Sequence, residues 1–150
     1  MIEGQPILAE VDASRFRGEF LDCCSQIEDH AGNALIRLVE LGMLKKSPHL
    51  FGQKFQRLIE HVETPRVWKH PVHVKQVLED LRPYAAMRSA VCHAVMSNDT
   101  IEGGNGVSWR MPGEVGWEKR KALTQSEMID ILSELRRLTG KLRKQPLLEI

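Results

Sequence analysis

The sequence predicts an all-α fold, a four- to five-helix up-down bundle with a small β-hairpin before the last helix. Three observations carry this expectation. Apolar residues recur at spacings of three and four over long stretches, which is the pattern of one buried helix face. Aromatic residues make up only 5 % of the chain, so a core must be built mostly from Leu, Ile, Val, Met and Ala. One stretch rich in Asn, Asp and Gly interrupts the helical pattern, and a short apolar–polar alternation follows it.

Residues 1–12 read as an N-terminal arm, apolar at Ile7-Leu8 and without a period. From Ala13, with Asp12 or Ser14 as a cap, Phe16, Phe20, Cys23 or Cys24, Ile27, Ala31, Ala34 or Leu35, Leu38 and Leu41 define one face of a long helix. It is expected to run to about Leu44 and to end at Lys45-Lys46-Ser47-Pro48. A second helix is expected over 52–62, with Phe55, Leu58, Ile59 and Val62 inward. Two prolines make 64–71 a loop. A third helical pattern runs from Val74 to Val95 with Pro83 inside it, which implies a kinked helix or two helices meeting there. Residues 97–106 cannot continue a helix; Val107-Ser108-Trp109-Arg110-Met111 alternates like a strand and pairs back towards Thr100-Ile101-Glu102 across a turn at Gly103-Gly104-Asn105-Gly106. Thr124-Gln125-Ser126-Glu127 is a capping-box sequence. The helix it opens carries Met128, Ile131, Leu132, Leu135, Leu138 and Leu142 on one face and stops at Pro146.

Length and composition set the frame. The 150 residues suit one domain, and 42 % hydrophobic with 27 % charged residues excludes a disordered chain. No stretch approaches the ~20 apolar residues of a membrane span, and Met1-Ile2-Glu3-Gly4 lacks a basic, signal-like start. The expected location is the cytoplasm, with no membrane partner. Three cysteines, two of them adjacent, predict buried thiols and no disulfide framework. The net charge of +1 hides an asymmetry: residues 1–40 carry three basic and eight acidic groups, a balance of −5. A basic run, Arg136, Arg137, Lys141, Arg143 and Lys144, closes the chain with no acid between Leu135 and Leu148. It reads either as cations complementing a helix dipole or as a nucleic-acid-facing stripe.

Phosphate-loop, dinucleotide, zinc-protease and serine-hydrolase motifs are absent, so neither a cofactor nor a metal is expected. His70 and His73 flank Pro71 without an evident carboxylate partner. Trp68, Trp109 and Trp117 could line a small-molecule site, and more simply cap the core or the hairpin. The stretch that reads differently is Ala86-Met87-Arg88-Ser89-Ala90-Val91-Cys92-His93-Ala94-Val95, where Arg88 and His93 lie in an apolar, small-residue run. A half-buried Arg needs partners because its guanidinium cannot shed its charge, and Glu28 or Asp29 on the first helix is the natural candidate. One reading is a purely structural clasp.

Arg88-Ser89-Ala90-Val91-Cys92-His93 also resembles the short form of the Arg-x(4–6)-His signature of the HEPN superfamily, whose members are helical bundles. The order of elements is similar in outline over about residues 13–145: a long first helix with Glu28 near its middle, the Arg–His helix, a Gly-rich turn with a strand, and a capped last helix. The family often has Asn after the Arg and Gly after the His, where this chain has Ser89 and Ala94. In active members the resemblance implies metal-independent RNA cleavage, with His93 moving a proton from the ribose 2′-hydroxyl and Arg88 holding the charge that develops on phosphorus. Ser89, Glu28 and Asp29 would be auxiliary. The resemblance further implies a homodimer with the motifs facing each other, and an antitoxin-like protein partner. Many members are inactive binding modules. The expected function is a non-catalytic HEPN-like dimerisation or partner-binding module; the alternative is a HEPN ribonuclease or RNA- or nucleotide-binding protein of a toxin–antitoxin pair. On a straight helix Arg88 and His93 would stand about 140° apart, so the catalytic reading needs the helix to fray before His93, Arg88 to reach round from the adjacent turn, or a partner copy to supply one of the two. His93 is therefore expected in the last turn of its helix, within reach of Arg88 or its symmetry mate, with Glu28 or Asp29 on Arg88.

Overall fold

A computed structural model describes residues 10–114 and 121–149 of the chain. Among these the elements follow in the order α1 (Ala13–Glu40), α2 (Phe51–Glu60), α3 (Pro71–His93), β1 (Val95–Ile101), β2 (Gly104–Arg110), β3 (Lys121–Thr124) and α4 (Gln125–Arg143). The strands form one antiparallel sheet in the order β1-β2-β3. The all-α expectation is therefore corrected: the fold is mixed, 60 % helical, with a three-stranded sheet between α3 and α4 rather than a minor hairpin. Two causes account for the difference. The helical count was carried through Val95, whereas the helix stops at His93 and Val95 opens a strand. β3 is four residues long, too short for its period to stand out.

The hairpin turn also sits earlier than expected. Ile101 pairs with Gly104, leaving Glu102-Gly103 as a two-residue turn, with φ of 51° and 81°. Two consecutive positive φ values match the right-handed twist of the strands they join. Gly104, Asn105 and Gly106 belong to β2 instead. At Gly106 the close approach of neighbouring chain requires glycine: a Cβ there would lie 2.6 Å from the Leu123 carbonyl oxygen and 2.6 Å from the Ile101 side chain.

The chain divides into two compact units, Met1–Cys23 with Met87–Arg137 and Cys24–Ala86 with Leu138–Ile150. In the first, Phe16, Phe20, Cys23, Val91, Val107, Met128, Leu132 and Leu135 are buried. Asp12 caps α1, its Oδ1 accepting the Arg15 amide at 2.8 Å, and Asn98 Oδ1 accepts the Ala13 amide at 2.8 Å. The capping box at α4 forms as the sequence implies: Thr124 Oγ1 accepts the Glu127 amide, and Glu127 Oε1 accepts the Thr124 amide, both at 3.1 Å.

In the second unit, Ile27, Ala31, Leu35, Leu38, Phe55, Leu58, Leu78 and Leu81 are among the buried residues. α1 ends at Glu40 because Gly42 takes a positive φ of 77°. The Met43 amide then bonds to the Leu38 carbonyl at 2.9 Å and the Gly42 amide to that of Val39 at 3.0 Å. This pair of bonds is the Schellman closure of a helix, and it acts before the Pro48 stop expected from the sequence. Pro71, assigned to a loop, is instead the first residue of α3, where its missing N–H costs nothing. Pro83 lies inside a single helix. The C-terminal segment is tied down by a bridge between Trp68 and Leu147, with the Lys69 amide on the Pro146 carbonyl at 3.0 Å and the Leu148 amide on the Val67 carbonyl at 2.9 Å.

Candidate functional site

The Arg–His motif occupies the end of α3. His93 is the last helical residue, as the catalytic reading requires, and its side chain is exposed. Arg88 is half-buried and Ser89 is exposed. Because α3 is unbroken from Pro71 to His93, the two motif residues project about 140° apart. The arginine that reaches the end of this helix is another one, Arg17. Its Nε donates to the Val91 carbonyl at 3.1 Å and its Nη2 to the Ala94 carbonyl. A guanidinium on the last carbonyls of a helix satisfies orphan acceptors and opposes the negative end of the dipole. Sequence reasoning missed Arg17, since nothing local to it points to a partner in α3.

The expected auxiliary residues fall elsewhere. The Glu28 carboxylate is taken by Lys54 of α2 at 2.8 Å, and Asp29 is exposed, without an ion pair among the described residues. The basic run at the C-terminus is not one free face. Arg136 is buried, at 7 % exposure. Arg137 is held by Glu134, its Nε donating to Oε2 at 2.9 Å, and Arg143 donates to Gln26 Oε1 at 2.9 Å. Lys141 and Lys144 remain exposed. His70 and His73 stack edge-on at 5.9 Å, and the described residues hold no cluster of three or more His, Cys, Asp or Glu suited to a metal. Cys23 and Cys24 are buried and Cys92 is half-buried, and none of the three forms a disulfide among the described residues. Trp68 is buried beside His30, and Trp109 lies under the Lys121 ammonium at 5.2 Å. Trp117 lies outside the described residues. No described helix is long and apolar enough to cross a membrane.

Two surface clefts lined by described residues stand out, and neither is lined by Arg88 or His93. The first, of about 520 Å³, lies in the sheet-bearing unit and is walled by polar side chains. All but the Thr100 hydroxyl already have structural work. Asn105 bonds to Glu10, the Gln125 carboxamide accepts the Val11 amide at 2.9 Å and donates to the Val11 carbonyl, and Asp99 takes the Thr100 amide at 2.9 Å and the Ser108 hydroxyl at 3.3 Å. Asp12 and Asn98 hold the start of α1. The second, of about 720 Å³, lies in the other unit, between the turn after α1 and the exposed side of α2. Its lining mixes Met43, Leu44 and Pro48 with Lys45, Lys46, Gln53, Gln56, Arg57, Glu60 and His61. Here only Arg57, Gln56 and Glu60 are engaged with one another, Arg57 Nη1 lying 2.7 Å from Glu60 Oε2 and Gln56 Nε2 lying 3.1 Å from Glu60 Oε1. Those two donors hold the Glu60 carboxyl below the usual glutamate range.

Set beside known proteins, the chain matches no family model, no curated protein and no solved structure.

Proposed function

We propose that this chain is a non-catalytic, HEPN-like module that works by binding a partner, a second copy of itself or another protein. One observation carries the reading: Arg88 and His93 project about 140° apart on an unbroken helix, which sets them on different faces rather than towards one phosphate. The commitment of Arg17 to the Val91 carbonyl of α3 and the Ala94 carbonyl just after it supports the reading, because this cation near His93 is used to hold the fold. The second reading, a metal-independent ribonuclease, is favoured by the exposure of His93, which leaves its imidazole open to a substrate. That mechanism would need Arg88 to reach round from the adjacent turn or a partner copy to supply one of the two residues.

Incubation of the chain with structured and unstructured RNA in chelator tests the proposal. Intact RNA with both the parent protein and His93→Ala is the expected result. Cleavage that leaves cyclic-phosphate ends and disappears in His93→Ala would replace this reading by the ribonuclease.

A further inference from the structure

The two clefts differ in how their polar groups are used. Around the first, side-chain oxygens and amides are spent on holding backbone; around the groove beside α2 they are not. Lys45, Lys46 and Gln53 make no side-chain hydrogen bond or ion pair among the described residues. The lysines are exposed, and Met43 beside them is 47 % exposed, a large apolar side chain left in water. The one carboxylate of the lining, Glu60, is paired with the Arg57 guanidinium and also accepts a hydrogen bond from Gln56, so its charge does not cancel the lysines. The groove therefore presents apolar side chains beside two uncompensated lysines.

We infer that this groove docks an acidic segment of a partner protein, with an apolar side chain of that segment seated against Met43, Leu44 and Pro48 and its carboxylates on Lys45 and Lys46. The inference rests on the binding-module reading and names the surface and the partner's chemistry. Charge complementarity selects an acidic occupant, and the apolar side chains of the lining select one with an anchor residue. Nucleic acid fits less well, since no Phe, Tyr or Trp lines the groove to stack a base. A lipid surface fits less well too, since each lysine near an anionic membrane contributes only about 1 kcal/mol and recognition there uses clusters of about four to eight cations. The fold holds the lining in place from both sides: the Gly42 helix closure fixes the chain direction at Met43, and α2 begins at Phe51.

The test is a titration of the isotope-labelled full chain with four probes: a short acidic peptide carrying leucine anchors, its lysine-substituted counterpart, single-stranded RNA, and vesicles containing phosphatidylserine. Amide shifts read the site and calorimetry reads the affinity. The acidic peptide is expected to shift the amides of 43–47 and Gln53, and Lys45→Glu with Lys46→Glu is expected to weaken it about tenfold or more. Met43→Ser, which changes no charge, weakens it as well. Lys69→Glu with Lys75→Glu, an equal charge change outside the groove, leaves it unaltered. Equal binding of the lysine peptide, shifts that map elsewhere, a stronger response to RNA or vesicles at these amides, or insensitivity to the groove variants would each overturn the inference. RNA cleavage in the earlier assay would remove the non-catalytic reading while leaving a positive peptide result intact, so the two failures are separable.

Discussion

The opening of α4 and the end of α3 belong to the same unit and meet the same difficulty, backbone groups with no partner inside the helix. At α4 the solution is local: Thr124 and Glu127 exchange side chain for amide across three residues. At α3 it comes from far along the chain, Arg17 reaching carbonyls 74 and 77 residues away. The local cap belongs to the helix and would stabilise it even before the rest of the unit folded. The distant cap exists only when α1 is in place, so it couples the order of the α3 terminus, and of His93 on it, to the packing of another element. A terminus capped from afar is therefore a sensor of tertiary structure, whereas a capping box is not.

The largest effect is expected where the distant partner is backbone and cannot move. At Gly106 an added Cβ meets the Leu123 carbonyl at 2.6 Å, well inside any real contact. Gly106→Ala should cost about 3 kcal/mol, at the upper end of overpacking penalties, read as a lower denaturation midpoint at constant slope. A cost below about 1 kcal/mol would show that β2 and β3 separate freely, and the sheet would then be a weaker constraint than its register implies.

The direct test of the comparison is Arg17→Met against Thr124→Ala. Arg17 makes two charge-assisted bonds in a half-buried setting, so its loss should cost about 2 kcal/mol and speed amide exchange at the end of α3. Thr124→Ala should cost about 1 kcal/mol, with faster exchange confined to the first turn of α4. If Thr124→Ala proved the more damaging, or if Arg17→Met left exchange near His93 unchanged, the distinction between local and distant caps would fail.

The same distinction explains what could be read from the sequence. α1, α2 and α4, most of the faces they bury and the capping box follow from residues three or four apart, although α1 and α2 stop short of the expected ends and Leu41, Ile59 and Ile131 are only half-buried. Gly42 was legible too, since glycine after a helical run is a stop signal, yet the proline further on drew the boundary instead. The sheet was only half legible. The presence of a hairpin and the Val107–Arg110 part of β2 were visible, but the turn lies earlier than its glycines suggest, and β1 carries Ser97, Asn98 and Asp99, residues of low strand propensity whose extended form is set by pairing with β2. Of the candidate site, Arg88 and His93 fall on one helix as expected, while Glu28 goes to Lys54 and Arg136 goes inside. Which carboxylate meets which cation is decided by helix packing, and no spacing rule along one chain segment contains that information.

Glu60 is the extreme local case and has the smallest expected effect. Its carboxyl is held below the ordinary glutamate range first by the Arg57 guanidinium and next by the Gln56 amide, at three and four residues' distance on the same helix. A folded-state pKa below the unfolded one means that the contribution to stability is present above the unfolded value and is lost as pH falls through the folded one. For a fully exposed pair that contribution is small. Carbon-detected titration should place the Glu60 transition below that of an unperturbed glutamate, with Arg57→Ala moving it back up and Gln56→Ala moving it less. The difference in stability between parent and Arg57→Ala should fade as acid protonates Glu60. Since the partners all lie within four residues, a peptide spanning α2 alone should retain part of the lowered pKa in proportion to its helicity, whereas no fragment lacking α1 could retain the Arg17 cap. A Glu60 transition unmoved by Arg57→Ala would mean that its acidity is set by the tertiary field instead, and would place this pair on the distant side of the comparison.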